Sequence, residues 1–229
     1  MDMCYEDVMR RLREERLAHG LSQEDLSSRI MITQGHYSKA EQSVKRFTYQ
    51  EIKRLAEAKL DLYYIYTGCR SAEKHRDFLD KCSYGELLCY LHMLVSLTCC
   101  LHEERKLNLG RDYYRQLCRV RYITGTADAN RITIFRQLRQ YEGQNQHEMA
   151  ECLGMDIKKY RELERGAILP DSELIWKLYS LYQVPPAFVL KDTNGLRCEI
   201  ESRMERAEAG QNDVIYRYFT LLHEAFYKD

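Results

Sequence analysis

The chain has 229 residues, and its 35 Lys and Arg balance its 35 Asp and Glu to a formal net charge of zero. This balance excludes a surface that is basic throughout, so any contact with nucleic acid must come from local patches. Three Pro and eleven Gly are few for this length and favour a helical protein with a sizeable core. Nine cysteines without a disulfide-framework spacing predict reduced thiols in a cytoplasmic protein.

The N-terminal segment MDMCYEDVMRRLREE is charged and lacks an apolar run, so we expect no signal peptide. The longest apolar stretch covers residues 87–101 and is interrupted by His92 and Ser96. We interpret this stretch as too short to span a bilayer, and we expect no membrane association.

Four helical patterns fill the first third of the chain. Gly20 ends the first pattern, Ser22 caps the second, and Thr33 begins the third. A basic loop at residues 44–46 follows the third pattern, and residues 60–68 close the group. The helices are predicted over residues 5–19, 22–30, 33–41 and 48–59.

The middle of the chain, residues 71–121, is predicted to be helical. Positions 87, 91, 94, 98 and 101 alternate steps of four and three, which forms a mostly apolar stripe like a helix–helix seam. The same spacing recurs near the C-terminus. We therefore predict a homodimer interface that contains Leu87, Leu91, Leu94, Leu101, Tyr218 and Leu221. The small, polar residues 124–130 are the best candidate for a linker.

A second group of helices is centred on residues 143–170. Gly154 can take the positive φ of a sharp turn after a helix, and Asp156 is a good N-cap for the next helix. That helix would place Tyr160 and Leu163 on its inner face. Two short helices joined by such a turn form a helix-turn-helix.

The two groups are related by an internal repeat, which indicates a tandem duplication. We call residues 1–68 copy one and residues 124–191 copy two. After residue 188 the offset changes from 123 to 127, which a four-residue insertion near residues 191–194 would explain. The pairs aligned at offset 123 are Gly20 and Gly143, Gln23 and Gln146, Leu26 and Met149, Tyr37 and Tyr160, Glu41 and Glu164, Leu55 and Leu178, and Ile65 and Phe188.

Copy two resembles the Cro/lambda-repressor (Xre) class of DNA-binding helix-turn-helix domains. The matching residues are Leu138, Arg139, Gly143, Gln146, Met149, Ala150, Leu153, Gly154, Glu164, Arg165, Gly166 and Pro170. The resemblance implies an all-α fold with two lambda-repressor-like helix-turn-helix domains, each followed by a helical segment. The expected division is 1–68 for copy one, 69–123 for a helical connector, 124–191 for copy two and 192–229 for a C-terminal helical segment.

Copy one departs from this family pattern at several positions. Met31 replaces the turn glycine, Ser43 stands where the exit has Gly166, and Phe47 replaces the exit proline. Gly35 within the second helix should weaken that helix by about 1 kcal/mol relative to Ala. We therefore expect copy two to be the better-preserved copy.

The resemblance implies a sequence-specific transcriptional regulator that binds double-stranded DNA without a cofactor. A helix-turn-helix presents short polar side chains to the major groove and holds the phosphates with nearby donors. The predicted DNA-contacting residues are Gln23, Thr33, Gln34, His36, Ser38, Lys39, Lys45 and Arg46 in copy one, and Gln146, Lys158, Lys159, Arg161 and Arg165 in copy two. Asp156 and Glu162 oppose DNA binding by their charge.

Two other functions remain open on the sequence. The zero net charge and the acidic residues of copy two also fit a module that binds a protein partner, such as another regulator, and has lost its DNA surface. Tyrosine-rich stretches at 63–66 and 113–114 suggest a ligand-sensing regulator less strongly, because such residues more often serve packing.

Neither a metal site nor an enzyme is expected. Cys89 with His92 and Cys99 with His102 share helix faces, but the two pairs lie too far apart on one helix to bind one zinc ion. The sequence contains no phosphate-cradling Gly-rich loop, H-E-x-x-H or G-x-S-x-G motif.

Overall fold

The computed structural model describes residues 4–70, 77–125 and 133–209, together with residues 217, 221 and 224. In this part of the chain the regular structure is entirely α-helical and contains no strand, which confirms the all-α class. The helices are α1 (Tyr5–Ala18), α2 (Gln23–Arg29), α3 (Gln34–Glu41), α4 (Tyr49–Glu57), α5 (Leu62–Thr67), α6 (Asp77–Lys81), α7 (Tyr84–Glu103), α8 (Arg111–Gly125), α9 (Ile134–Tyr141), α10 (Gln146–Cys152), α11 (Ile157–Glu164), α12 (Ser172–Tyr182), α13 (Pro186–Leu190) and α14 (Thr193–Ala209).

The chain divides into two compact units that do not follow chain order. Unit 1 contains Met1–Arg70 and Gln144–Gly195, and unit 2 contains Ser71–Gly143 and Leu196–Asp229. This division differs from the four consecutive segments expected from the sequence. The reason is that α12 packs against α1 and α5, and α13 packs against α5, so α10 to α13 fall in the same unit as the N-terminal helices. Unit 1 therefore holds two helix pairs. The first helix pair is α2 with α3, and the second helix pair is α10 with α11.

The helices of both pairs begin at capping residues. Ser22 accepts a hydrogen bond from the amide of Asp25, whose carboxylate accepts one from the Ser22 amide in return. Asn145 and Glu148 form the same reciprocal box at the start of α10. Each box satisfies amides that have no partner within the helix, which fixes where the helix begins. Side-chain caps also open α3, α4, α11 and α12, at Thr33, Thr48, Asp156 and Asp171.

The core of unit 1 contains equivalent side chains from both helix pairs. Tyr37 and Tyr160 are 0% exposed, as are Leu26 and Met149. These four residues occupy aligned positions of the internal repeat, and the expectation that both tyrosines belong to the core is confirmed. The hydrophobic core around Tyr37 also includes residues from α12 and α13, so the packing extends across the unit.

Ser172, at the start of α12, connects distant parts of the sequence within unit 1. Its hydroxyl lies 2.5 Å from that of Tyr5 and accepts a hydrogen bond of 3.0 Å from the amide of Phe47. The Ser172 amide in turn donates to the Phe47 carbonyl at 3.0 Å. The ring of Tyr5 also packs beside that of Trp176, with centroids 6.0 Å apart. We call these four residues the Ser172 joint.

A second set of contacts within unit 1 uses α4 and the end of α13. The Tyr49 hydroxyl donates to the carbonyl of Val189 at 3.3 Å, and the Lys53 ammonium donates to the carbonyl of Leu190 at 2.9 Å. Positions 49 and 53 precede positions 172 and 176 by 123 residues each. Equivalent positions of the repeat therefore make both sets of contacts.

In unit 2, α7 packs against α8. Leu87, Leu91 and Leu94 are at most 1% exposed within the chain, so their apolar stripe has no surface to offer a second chain. This corrects their predicted role in a homodimer interface: the spacing identified a buried face, and α8 lies against that helix. Leu101 is half-buried and Leu221 is 62% exposed, whereas Tyr218 lies outside the described residues.

The helix α7 is longer than the apolar stretch expected from the sequence. It has 20 residues and a mean hydropathy of 1.4 over its most apolar window, so by length and composition it could cross a membrane. The core helices of water-soluble proteins pass the same test, and 39% of that window is buried inside the protein.

Candidate nucleic-acid interface

The two helix pairs turn in the same way despite different residues at the turn. Met31 has a φ of 59°, and Gly154, 123 residues later, has a φ of 64°. The Met31 amide donates to the Ser28 carbonyl, and the Gly154 amide donates to the Glu151 carbonyl. The positive φ predicted for Gly154 is confirmed. Met31 adopts the same left-handed conformation, which disfavours a side chain with a Cβ atom.

A cation from the fourth helix of each group holds the carbonyl beside each turn. Arg54 donates to the carbonyl of Ile30 at 3.1 Å, and Lys177 donates to the carbonyl of Leu153 at 2.9 Å. These carbonyls lie at helix C-termini, where the helix dipole favours a positive charge. Both bonds join positions that correspond at offset 123.

Glu41, the last residue of α3, is the centre of a largely buried polar cluster. Its carboxylate accepts hydrogen bonds from Arg16 at 2.9 Å, from the Tyr37 hydroxyl at 3.1 Å and from Gln23 at 2.6 Å. Burial lowers the pKa of Arg16, but the hydrogen bonds and charge of Glu41 outweigh this effect, so the net shift is upward. Burial, reinforced by Glu41, raises the pKa of Tyr37, which keeps its hydroxyl protonated as a donor.

Gln23 connects this cluster to the exposed surface of the first helix pair. Because the amide nitrogen of Gln23 donates to Glu41, the amide oxygen of Gln23 remains as an acceptor. That oxygen receives a hydrogen bond of 3.1 Å from the side-chain amide of Gln34. Gln34 is exposed at the first position of α3. The sequence placed Gln23 and Gln34 in the interface but gave no signal for this bond between them.

The second helix pair repeats the arrangement with a different outer residue. Gln146 donates its side-chain amide to Glu164 at 2.5 Å. The oxygen of Gln146 receives a hydrogen bond of 3.1 Å from Nε of Arg161, whose side chain is exposed. A buried carboxylate, a glutamine and an exposed donor therefore follow one another in both pairs.

The remaining predicted contact residues fall into two classes. Thr33, Lys39, Lys45, Lys158, Lys159 and Arg165 are exposed, whereas His36, Ser38 and Arg46 are half-buried. The Thr33 hydroxyl accepts the His36 amide at 3.2 Å and so serves as a helix cap. All of these residues belong to unit 1.

Arg46 was predicted to contact DNA phosphate, but in the structure its side chain contacts other residues of the protein. Its guanidinium forms an ion pair with Glu173, donates to the Ser43 carbonyl at 2.7 Å and lies 4.7 Å from the ring centre of Tyr5. These partners hold Arg46 beside the Ser172 joint. The sequence did not reveal this role because Glu173 lies 127 residues away in the chain.

The prediction for His36 also changes with the geometry, whereas the prediction that Asp156 caps a helix is confirmed. His36 lies with Nε2 3.7 Å from the carboxylate of Glu51 on α4, so this nitrogen is directed toward the interior of the unit rather than toward a groove. The Asp156 carboxylate accepts the Lys158 amide at 2.8 Å as the cap of α11. Asp156 therefore has a structural role, and both Asp156 and Glu162 are exposed.

The histidines considered for a metal site have other partners in unit 2. The Nδ1 atom of His92 lies 2.9 Å from the Thr124 hydroxyl, and that of His102 lies 3.0 Å from the Leu107 carbonyl. Among the described residues, no group of three or more His, Cys, Asp or Glu side chains is placed to hold a metal ion.

Comparison with known proteins finds one family. Residues 12–58 match the family model described as Helix-turn-helix, of the Cro/C1 type. This match runs from α1 to the end of α4 and supports a DNA-binding regulator in general terms. It falls on copy one, so the expectation that copy two is better preserved is not supported. No curated protein and no solved structure matches the chain.

Proposed function

We propose that this protein is a sequence-specific transcriptional regulator that binds double-stranded DNA with both helix pairs. The family match at residues 12–58 supports this function for the first pair. The observation that extends it to the second pair is the shared chain of buried carboxylate, glutamine and exposed donor. Glu41 with Gln23 and Glu164 with Gln146 form the inner part of that chain at corresponding positions.

We further propose that the two copies arose by tandem duplication. Backbone conformation supports this origin independently of sequence identity. Met31 and Gly154 share a positive φ, and so do Ser43 and Gly166, in both cases at an offset of 123 residues. Met31 and Ser43 are not glycines, and a non-glycine residue adopts this conformation at a cost of about 1–2 kcal/mol. Chance therefore does not favour a positive φ at the positions that match Gly154 and Gly166. The bonds of Arg54 and Lys177 to matching carbonyls add further support.

The packing of unit 1 suggests how one chain would bind two half-sites. Corresponding positions of the repeat, 49 with 172 and 53 with 176, contact the other copy, and these contacts would hold the two helix pairs at a fixed separation. A fixed pair of helix-turn-helix motifs reads half-sites about 34 Å apart on one face of the duplex. In this proposal one chain performs what a dimer of single-motif regulators performs.

Phosphate binding is assigned to the exposed cations of both pairs. In the first pair these are Lys39 and Lys45, and in the second they are Lys158, Lys159 and Arg165. Arg46 is left out, because Glu173 holds its guanidinium. A zero net charge is compatible with these local patches, since phosphate contacts act over short distances at physiological salt.

The alternative is a protein-binding module that kept the fold, and the exposed Glu162 on α11 favours it. DNA binding titrated with salt separates the two functions. If phosphates are bound, the logarithm of affinity falls with the logarithm of salt concentration by about 0.9 for each contact. Binding to mixed genomic fragments that is absent, or independent of salt, would contradict the regulator and leave the protein-binding module.

The contribution of the second pair is tested by replacing Lys158, Lys159 and Arg161 together with Gln. We expect at least tenfold weaker binding and a salt slope smaller by about 2, because Lys158 and Lys159 are two of the assigned phosphate contacts. The matched control replaces Lys81, Arg105 and Lys106, three exposed cations of unit 2, with Gln. Equal binding by the two triple variants would contradict a role for α11.

A homodimer remains a further proposal, without the Leu87 stripe as its interface. Light scattering on the free protein and on its DNA complex would show whether one chain or two occupy a site. A two-chain complex would bind a longer site with two-fold symmetry.

A further inference from the structure

A small cavity lies at the C-terminal end of α2, away from Gln23 at the start of that helix. Its volume is about 320 Å³, at the lower end of the range in which proteins hold small molecules. Arg29, the last residue of α2, is six residues from Gln23, or about 9 Å along the helix axis. None of the predicted DNA-contacting residues lines the cavity. The lining residues are Arg29, Arg54, Glu57, Ala58 and Lys59.

The cavity is positively charged. Three of its lining residues are cations and one is an acid, so its formal charge is plus two. A cleft lined mainly by one sign of charge concentrates ions of the opposite sign. Arg29 and Lys59 are exposed, and within the described part of the chain the side chain of neither forms a hydrogen bond or an ion pair. Both cations are therefore available to a ligand.

The second helix pair shows that these two cations are not needed to hold the turn. There Lys177 alone bonds the carbonyl beside the turn, as Arg54 does in the first pair. Positions 29 and 59 correspond to Cys152 and Tyr182, neither of which is a cation. The two added cations are therefore specific to the first pair, and the shared frame of the repeat does not require them.

We propose that this cavity binds a small phosphorylated molecule through Arg29, Arg54 and Lys59. A phosphate monoester carries about two negative charges at pH 7, which match the charge of the cavity. Guanidinium groups hold phosphate oxygens through two parallel hydrogen bonds. Arg54 uses Nη1 for the Ile30 carbonyl, which leaves Nε and Nη2 as an edge with two donors. This site is separate from the proposed DNA interface, and the inference does not depend on the proposed function.

Calorimetric titration of the full chain with inorganic pyrophosphate, at constant ionic strength and without DNA, tests the inference. We expect one site per chain. Arg29→Gln combined with Lys59→Gln removes two of the three cations, so the affinity for pyrophosphate should fall by about tenfold or more. Glu57→Gln removes the opposing charge, so the affinity should rise by about threefold. A damaged fold would not produce this gain.

The matched control combines Arg13→Gln with Lys191→Gln, which alter exposed cations of unit 1 outside the cavity. Lys191 and Lys59 both have a positive φ, so the two lysine changes place Gln in the same backbone conformation. The control should bind pyrophosphate as the parent protein does. Equal affinities of the two double variants, or no binding by the unaltered protein, would overturn the inference.

The cavity variant also distinguishes a small phosphorylated ligand from the phosphates of DNA. Arg29→Gln combined with Lys59→Gln should bind mixed genomic fragments with the salt slope of the parent protein. A slope smaller by about 2 would show that both cations contact DNA, which would overturn the inference. An unaltered protein that binds pyrophosphate but no DNA would support the cavity site and contradict only the proposed function.

Discussion

The two helix pairs of unit 1 have the same frame and different working surfaces. Tyr37 and Tyr160 are equally buried, and both turns have a positive φ near 60°. The surface of the first pair presents Gln34 and that of the second presents Arg161. The backbone and the buried hydrogen bonds persist in both pairs while the exposed residues differ, so the fold and the exposed surface vary separately in this chain.

The largest expected effect concerns the buried cluster that supports the first pair. Glu41→Ala removes the carboxylate that pairs with Arg16, and both side chains are at most 6% exposed. A buried charge without its partner is costly, so we expect the free energy of unfolding to fall by about 3 kcal/mol. Urea denaturation of the full chain measures this change. Glu57→Ala, at an exposed position of the same unit, should change it by less than about 0.5 kcal/mol. Equal effects would show that the cluster does not stabilise unit 1.

A smaller effect is expected at the Ser172 joint. Ser172→Ala removes the acceptor of the Phe47 amide and the partner of the Tyr5 hydroxyl, and the site is 1% exposed. Burial raises the pKa of Tyr5 to about 12, so its hydroxyl stays protonated and needs a partner at neutral pH. We expect a loss of about 2 kcal/mol in the free energy of unfolding.

The joint variant should also separate stability from DNA binding. The exposed Ser28→Ala serves as its control and should be close to neutral. If Ser172→Ala unfolds like the parent protein and binds DNA equally well, the joint does not fix the two copies relative to each other.

The smallest effect is expected at the two turns, Met31 and Gly154. Gly154→Ala forces a Cβ atom into a left-handed conformation with the Lys177 ammonium 3.3 Å away, so we expect a loss of about 1 kcal/mol. Met31→Gly relieves the equivalent conformation in the first pair and should stabilise the protein by about 1 kcal/mol, less the entropy that glycine gains on unfolding. The measurement is the thermal unfolding temperature of both variants. Changes of that temperature in the same direction would contradict the equivalence of the two turns.

Local features of unit 1 were predictable because they depend on neighbouring residues. Ser22 and Asp156 were identified as caps by residue type and by the helical pattern that follows them. Gly154 was identified as a turn residue, and its positive φ follows from the lack of a Cβ atom. These signals act within a few residues of each other, so the sequence alone contains them.

The features that the sequence did not predict depend on residues that lie far apart in the chain. Arg46 has the charge of a phosphate contact, and only the fold shows Glu173 beside it. The Leu87 stripe was correctly identified as a buried face, but periodicity does not reveal whether a second chain or another helix covers it. The ion pair between Arg16 and Glu41 was not predicted, because each of its members looks like an ordinary surface residue in a helical pattern.

We propose that both helix pairs of one chain bind one duplex at a fixed separation. The test measures the affinity of the full chain for a DNA site selected from randomised duplexes, while the distance between the two half-sites is varied. Inserting about 5 base pairs turns one half-site to the opposite face of the duplex, so we predict at least a hundredfold loss of affinity, and an insertion of about 10 base pairs should not restore it fully. Affinity that does not depend on the spacing would contradict the claim, because it would mean that a single helix pair accounts for binding.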